Sequence, residues 1–152
     1  MGFSSIRTCG ACGTQNRVTA KHLSDTGRCG FCKASLPPQA EPINADDYSF
    51  DEIVRNARVP VLVDFWAAWC GPCQAAAAEV QAVAKAMAGR ALVLKVDTQA
   101  YPALANRFRV QGIPNFAVLV NGEVVFQQPG LVGRDQMQNW LETAGRSAAG
   151  VR

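Results

Sequence analysis

The sequence predicts an α/β domain built on a mixed β-sheet, preceded by a small cysteine-bearing unit. Apolar runs of strand length alternate with helical stretches from about residue 49 onward. An Asn-Gly pair joins two strand-like runs further on, and composition breaks at "ASLPPQAEP", ahead of which stand four of the six cysteines. Strands alternating with helices imply parallel neighbours joined by crossovers, and a tight hairpin adds an antiparallel pair at the edge. A chain of 152 residues suffices for one ordinary domain and a small appendage. The adjacent prolines of the break favour an extended linker, which places the boundary near residue 38, with domains at 1–38 and 39–152.

Each element of the second domain has a local reason. "SFDE" offers a capping box from Ser49 to Glu52, followed by Phe50, Ile53, Val54 and Ala57 at helical spacing. "VPVLVDFWA" is a continuous run of β-branched and aromatic residues, as a buried strand requires. From Cys73 to Ala88 the chain is alanine-rich, with Val80, Val83 and Met87 on one stripe and Gly89 as the stop. "ALVLKVD" is a second buried strand, and "YPALANRF" a short helix with Pro102 in its first turn. Asn121-Gly122 between "NFAVLV" and "EVVFQ" is a type I′ hairpin signal. A last helix from about Arg134 buries Met137, Trp140, Leu141 and Ala144.

Charge and the N-terminus exclude some classes of function. Residues 1–40 carry five basic side chains against Asp25 alone, while residues 41–152 carry ten basic and eleven acidic ones. A basic appendage suits nucleic acid, but no basic cluster with interleaved aromatics stands out, so nucleic acid is not an expected partner. "MGFSSIRTCGACGTQNR" has no apolar run or small-residue cleavage site, which argues against export. No stretch approaches a membrane span. In a reducing cytosol, Cys-x-x-Cys pairs serve metal binding or redox chemistry rather than structural bridging.

Cys9, Cys12, Cys29 and Cys32 have the spacing C-x2-C-x16-C-x2-C. Zn²⁺ takes four thiolates at tetrahedral corners, and a two-residue gap lets one turn present two sulfurs to one ion. Gly10, Gly13 and Gly30 crowd these turns. A weakly apolar segment this short cannot bury a core, so one structural zinc supplies what packing cannot. The alternatives are two redox dithiols or four unrelated thiols. His22, the only histidine, is left without a role.

Cys70 and Cys73 have no partner pair and lie where a buried strand turns into a helix. Free N–H groups and the partial positive charge of a helix N-terminus favour a thiolate at Cys70. Cys73, one turn on, can close a disulfide with it. Gly71 eases the turn, and Pro72 sets φ where no hydrogen bond is lost. Asp64 and Lys95 interrupt the two buried strands. A carboxyl buried at Asp64 has a raised pKa and can take the Cys73 proton. The alternative is a structural Asp–Lys pair or an aspartate bonded to backbone.

"VLVDFWAAWCGPC", followed by "KVD", "GIP", "NGE" and Gly130, resembles the thioredoxin family over about residues 41–148. The four-cysteine segment ahead of it looks like that of the bacterial, zinc-carrying thioredoxin 2 type. The resemblance implies a thioredoxin fold, a mixed central sheet flanked by helices, with a small N-terminal zinc-ribbon-like domain. It implies a cytoplasmic protein-disulfide reductase, expected as a monomer, that receives electrons from NADPH through thioredoxin reductase and passes them to disulfide-containing substrate proteins. Cys70 would be the nucleophile, Cys73 the resolving thiol, Asp64 the buried acid and Lys95 its neighbour. Trp66 and Trp69 would pack around the dithiol, and Gly71 and Pro72 would join Trp69 in contacting substrate. Pro114 would be cis and face the disulfide, Ile113 would offer backbone to an extended substrate segment, and Gly130 would leave room for it. Two positions depart from the family pattern: Ala78 stands where a helix-kinking proline is usual, and Gln74 where a basic residue follows the second cysteine.

Overall fold

The computed structural model describes residues 3–150. A five-stranded sheet with the order β5-β7-β6-β8-β9 forms its centre. The strands are β5 (Ile43–Asn44), β6 (Val61–Trp66), β7 (Leu92–Asp97), β8 (Asn115–Val120) and β9 (Glu123–Pro129). β7 runs parallel to both β5 and β6, whereas β8 is antiparallel to β6 and to β9. The sheet is therefore mixed, as the strand–helix alternation and the hairpin predict. The hairpin turns at Asn121 (φ 53°) and Gly122 (φ 81°), the two positive φ values that a type I′ turn demands.

Helices cover both faces: α1 (Asp47–Asn56), α2 (Gly71–Ala86), α3 (Pro102–Arg107) and α4 (Arg134–Gly150). Period-two alternation along the strands sorts the core. Val61, Val63 and Phe65 of β6, with Leu92, Leu94 and Val96 of β7, pack with Phe50, Ile53 and Val54 of α1 and Leu104 of α3. Leu62, Val93, Phe116 and Val118 turn to the other face and meet Val80 and Val83 of α2 and Met137 and Leu141 of α4. Asp64 and Lys95 share the alternation of Leu62 and Val93. They therefore belong to the α2 face, the face of the helix that opens at Cys70.

The start of α1 differs from the sequence reading. Asp46, not Ser49, caps α1: its side chain accepts from the Ser49 N–H, and Ser49 Oγ accepts from the Asp46 N–H. Helix α2 starts at Gly71 with Cys70 as its cap and Pro72 in its first turn, as the sequence predicts. Gly89 follows its end with φ +85°.

The N-terminal unit consists of two short antiparallel hairpins. β1 (Ser4–Thr8) pairs with β2 (Gln15–Thr19), and β3 (Gly27–Arg28) with β4 (Ser35–Leu36). Each hairpin turns through one Cys-x-x-Cys pair. The two turns match bond for bond. Cys9 N–H donates to Thr14 O and Gly13 N–H to Cys9 O, as Cys29 N–H does to Ala34 O and Lys33 N–H to Cys29 O. The residue four beyond the first cysteine has a left-handed backbone in both, Gly13 at φ 79° and Lys33 at φ 67°. Gly10 and Gly30 are not among the positive-φ residues, so only Gly13 of the three glycines serves the turn in that way. A left-handed backbone costs a lysine more than a glycine. Lys33→Gly is therefore expected to raise stability modestly, by roughly 0.5 kcal/mol after the larger unfolded-state entropy of glycine is offset. A denaturant midpoint at constant m-value checks it.

This unit is not coreless. A short 3-10 turn (Ala20–His22) between the two hairpins sends Ala20 and Leu23 into the main hydrophobic core beside Phe50 and Ile53, and Leu23 is fully buried. Arg7 donates to the Leu23 and Asp25 carbonyls, and Asp25 lies 2.7 Å from His22 Nδ1 and 3.6 Å from Arg58. The segment thus shares the core of the sheet, which compensates for its own small apolar content.

Candidate active site and metal centre

The β6 strand ends at Trp66, and the chain turns through Ala67, Ala68 and Trp69 into α2. Cys70 is the N-cap of that helix, with extended backbone, and its Sγ accepts the Cys73 N–H at 3.1 Å. Pro72 lies in the first turn, where its missing N–H costs nothing. Cys70 and Cys73 are joined by a disulfide, their Cα atoms 5.2 Å apart. Both residues are buried, packed with Ala67, Trp66 and Ile113. Trp69 beside them is 69% exposed, a large apolar surface at the lip of the site. Gln74 Nε2 donates to Ala68 O at 2.9 Å and braces the loop ahead of Cys70. The Gln74 amide, unlike a lysine, can donate and accept.

Ile113 and Pro114 approach from a distant part of the chain. Cys70 Sγ lies 3.8 Å from Ile113 O, and the Ile113–Pro114 bond is cis. Gly130 N–H donates to Pro114 O at 2.8 Å. Gly130 has φ +98°, a conformation that strains any side-chain-bearing residue. The structure therefore brings Ile113, Pro114 and Gly130 together on one side of the dithiol.

Asp64 lies on β6 two residues before its end and is 1% exposed. Its Oδ1 has no hydrogen-bond partner among the described residues, and neither has the buried Nε1 of Trp66. Desolvation pushes the Asp64 carboxyl up to about 6, and the positive charge of Lys95 opposes that rise. Lys95 is the β7 residue paired with Asp64 in the parallel register. It is only partly buried, and its Nζ lies over the Trp66 ring, 4.9 Å from the centroid. Asp64 and Lys95 form no ion pair within 4.0 Å among the described residues, so burial outweighs the neighbour.

The thioredoxin family model matches residues 41–143, a span that holds the strand–turn–helix and both cysteines. The chain belongs to the thioredoxin family. It is 35% identical to Thioredoxin C-3 of Corynebacterium nephridii over 90% of this chain and 93% of that protein. That match is longer than residues 39–152 could supply and so reaches into the four-cysteine segment. The chain is 36% identical to a thioredoxin of Haemophilus influenzae over 67% of this chain and 95% of that one. Among solved structures, a mutant thioredoxin from Halobacterium salinarum superposes with a TM-score of 0.65 at 31% identity, covering 69% of this chain and 91% of the other.

Membership in the thioredoxin family, with its dithiol set at a helix N-terminus, makes the chain a thiol-disulfide oxidoreductase working by dithiol–disulfide exchange. The thioredoxin fold expected from the motif is the fold observed. The proline absent at Ala78 leaves α2 uninterrupted from Gly71 to Ala86. No helix among the described residues is long and apolar enough to cross a membrane.

The other four cysteines form a separate cluster. All four Sγ atoms lie within 4.8 Å of one another, with Cys9–Cys32 and Cys12–Cys29 at 3.6 Å. Four sulfurs about 2.3 Å from a central Zn²⁺ would stand about 3.8 Å apart, so the cluster has the size of a tetrathiolate site. Cys9 and Cys29 are buried and Cys12 and Cys32 exposed. Backbone N–H groups of Cys32 and Phe31 hold Cys29 down to about 6, whereas Cys32, although the Ala34 N–H favours its thiolate, is pushed up to about 11 by the neighbouring Cys12 thiol and by burial; four thiolates this close need a cation between them.

Proposed function

We propose that this chain is a cytoplasmic protein-disulfide reductase of the zinc-carrying thioredoxin 2 type, reduced by thioredoxin reductase at the expense of NADPH. The observation that carries the reading is the placement of Cys70: N-cap of α2, bonded to Cys73, with Ile113 against it ahead of the cis bond to Pro114. In the reduced protein, Cys70 thiolate attacks a substrate disulfide. A Cys70–substrate S–S bond forms, the substrate S–S bond breaks, and the leaving thiolate takes a proton. Cys73 then gives its proton to Asp64 and attacks Cys70 Sγ. The intramolecular disulfide forms, and the substrate leaves with two electrons gained. Asp64, near 6, is charged at neutral pH and close enough to neutrality to accept that proton. Trp69, Gly71, Pro72, Ile113, Pro114 and Gly130 line the side from which an extended substrate segment approaches, while Lys95 holds positive charge beside Asp64.

Residues 1–38 form the metal-binding domain and residues 39–152 the catalytic one. Cys9, Cys12, Cys29 and Cys32 hold one structural zinc, and four thiolates leave no open position for catalysis. A Cys70→Ser/Cys73→Ser double variant should therefore keep one zinc per chain by elemental analysis. Zinc loss in that variant would show that the six cysteines are partitioned wrongly.

The deciding experiment follows NADPH oxidation with thioredoxin reductase and a disulfide-bonded protein substrate. Catalytic consumption is the expected result. A chain that leaves NADPH untouched while its dithiol is intact is not a reductase of this system. A measured reduction potential then separates a reductase from an oxidase on the same fold.

A further inference from the structure

A cavity of about 1050 Å³ opens at the end of the sheet opposite the dithiol. Pro60, just before β6, lines it, whereas Cys70 follows the other end of that strand, about 20 Å away at strand rise. The floor is apolar: Val59, Pro60, Val125, Phe126, Trp140 and Leu141. Phe126 and Trp140 are in ring contact at 4.7 Å, and Val125 is 55% exposed.

Val125 and Phe126 are consecutive, and a regular strand would turn them to opposite faces. A bulge makes their joint presence possible. Phe126 pairs with Val118 and Val124 with Leu119, so Val125 is an extra residue in β9. The same bulge disfavours the addition of another strand at this edge. The charges around the floor are not balanced. Arg58, Arg90 and Arg146 line the cavity with Glu142 as the one carboxylate, and Arg58 reaches Asp25 outside the lining at 3.6 Å. Arg90 is paired with Glu142 at 3.5 Å, and Arg146 donates only to Thr143 Oγ1 and has no acidic partner among the described residues.

An open groove of this size, with an apolar, aromatic floor and polar groups at its rim, has room for a small amphipathic ligand. Arg146, the lining arginine without an acidic partner among the described residues, selects an anion. We propose that this cavity is a second binding site, separate from the dithiol, for an amphipathic organic anion whose alkyl or aromatic chain lies along Val125 and Trp140 and whose carboxylate meets Arg146. The site does not depend on the redox assignment, because none of its lining residues contacts the dithiol.

The test is calorimetric titration of the full chain with decanoate, below its micellar range. One saturable site is expected. Val125→Asp, at an exposed position, should weaken binding by roughly tenfold or more, because it sets a carboxylate against an apolar chain. Arg146→Glu should weaken it severalfold, and decanol should bind less tightly than decanoate. Both variants should keep the melting temperature and the disulfide-exchange rate of the parent. Non-saturable heat, or equal affinity in Val125→Asp, would overturn the site. Decanol binding as tightly as decanoate would overturn its anion selectivity. Co-sedimentation with phosphatidylglycerol vesicles distinguishes the source of the anion: vesicle binding without binding of free decanoate would mean a surface contact and no such site.

Discussion

Cys73→Ser is expected to abolish turnover and to leave the protein covalently joined to its substrates, while Cys70→Ser loses turnover and joins to nothing. Burial does not separate the two thiols, at 3% and 4% exposed. The helix does. Cys70 caps α2 and accepts an N–H bond on sulfur, whereas Cys73 supplies that N–H from inside the first turn. Positive helix-end charge and a hydrogen bond both favour thiolate at Cys70, and thiolate is the attacking species. The Cys70–substrate bond is broken in the parent by an intramolecular thiol, whose effective concentration reaches on the order of 10⁵ M when it is well oriented. Serine cannot replace it, so the adduct persists. Non-reducing gels of both variants after exposure to lysate measure this. Equal trapping, or trapping by Cys70→Ser alone, would reverse the roles.

Asp64→Asn is expected to make the protein more stable above neutral pH and slower in catalysis. The folded carboxyl, pushed up to about 6 by desolvation, stands above its ordinary unfolded value. Its proton is thus held more tightly in the folded state. Folding suffers no penalty below the unfolded pKa, where the acid is neutral in both states. Stability is then lost as pH rises through the folded pKa, and by pH 8 the loss amounts to about 3 kcal/mol for a rise of about two units. Asparagine, neutral throughout, should remove that loss, so the two denaturation curves should converge near pH 4 and separate up to pH 8. The Asp64 Oδ1 lacks a partner among the described residues, so the amide forfeits no hydrogen bond to them at that atom. Turnover should fall by up to about a hundredfold near neutral pH, the lower end of what a positioned proton acceptor contributes. A variant that is less stable with unchanged turnover would leave Asp64 as half of a structural pair with Lys95.

Much of the site was legible because its chemistry is local. Two cysteines three apart at a strand-to-helix turn, with Pro72 in the first turn, state their geometry in the sequence. So does Asn121-Gly122, since few other pairs accept two positive φ values. Asp64 and Lys95 were visible as charges inside strand-like runs. Their common face follows from counting by two along β6 and β7, once the parallel register sets them side by side. The cap of α1 was misjudged because "DDYSFDE" contains nested candidates three residues apart. The core decides between them by burying Ser49, Phe50 and Ile53, which moves the helix start back to Asp47. Lys33 was missed because nothing local marks a lysine for a left-handed backbone; only its equivalence to Gly13 in the paired turns does.

The sequence by itself determined the order of elements, the Cys70–Cys73 pair at its strand-to-helix turn and the acid inside a buried strand, because each is written in short runs of neighbouring residues. Tertiary structure decided the rest. It set Ile113 against Cys70 across 43 residues of chain. It made the Asp64 carboxyl follow burial rather than Lys95, and it lent the N-terminal segment a core through Leu23. These outcomes depend on which surfaces meet and how much water they exclude. Such quantities belong to the packed molecule, because desolvation and close contact are set by neighbours that the chain brings together only on folding.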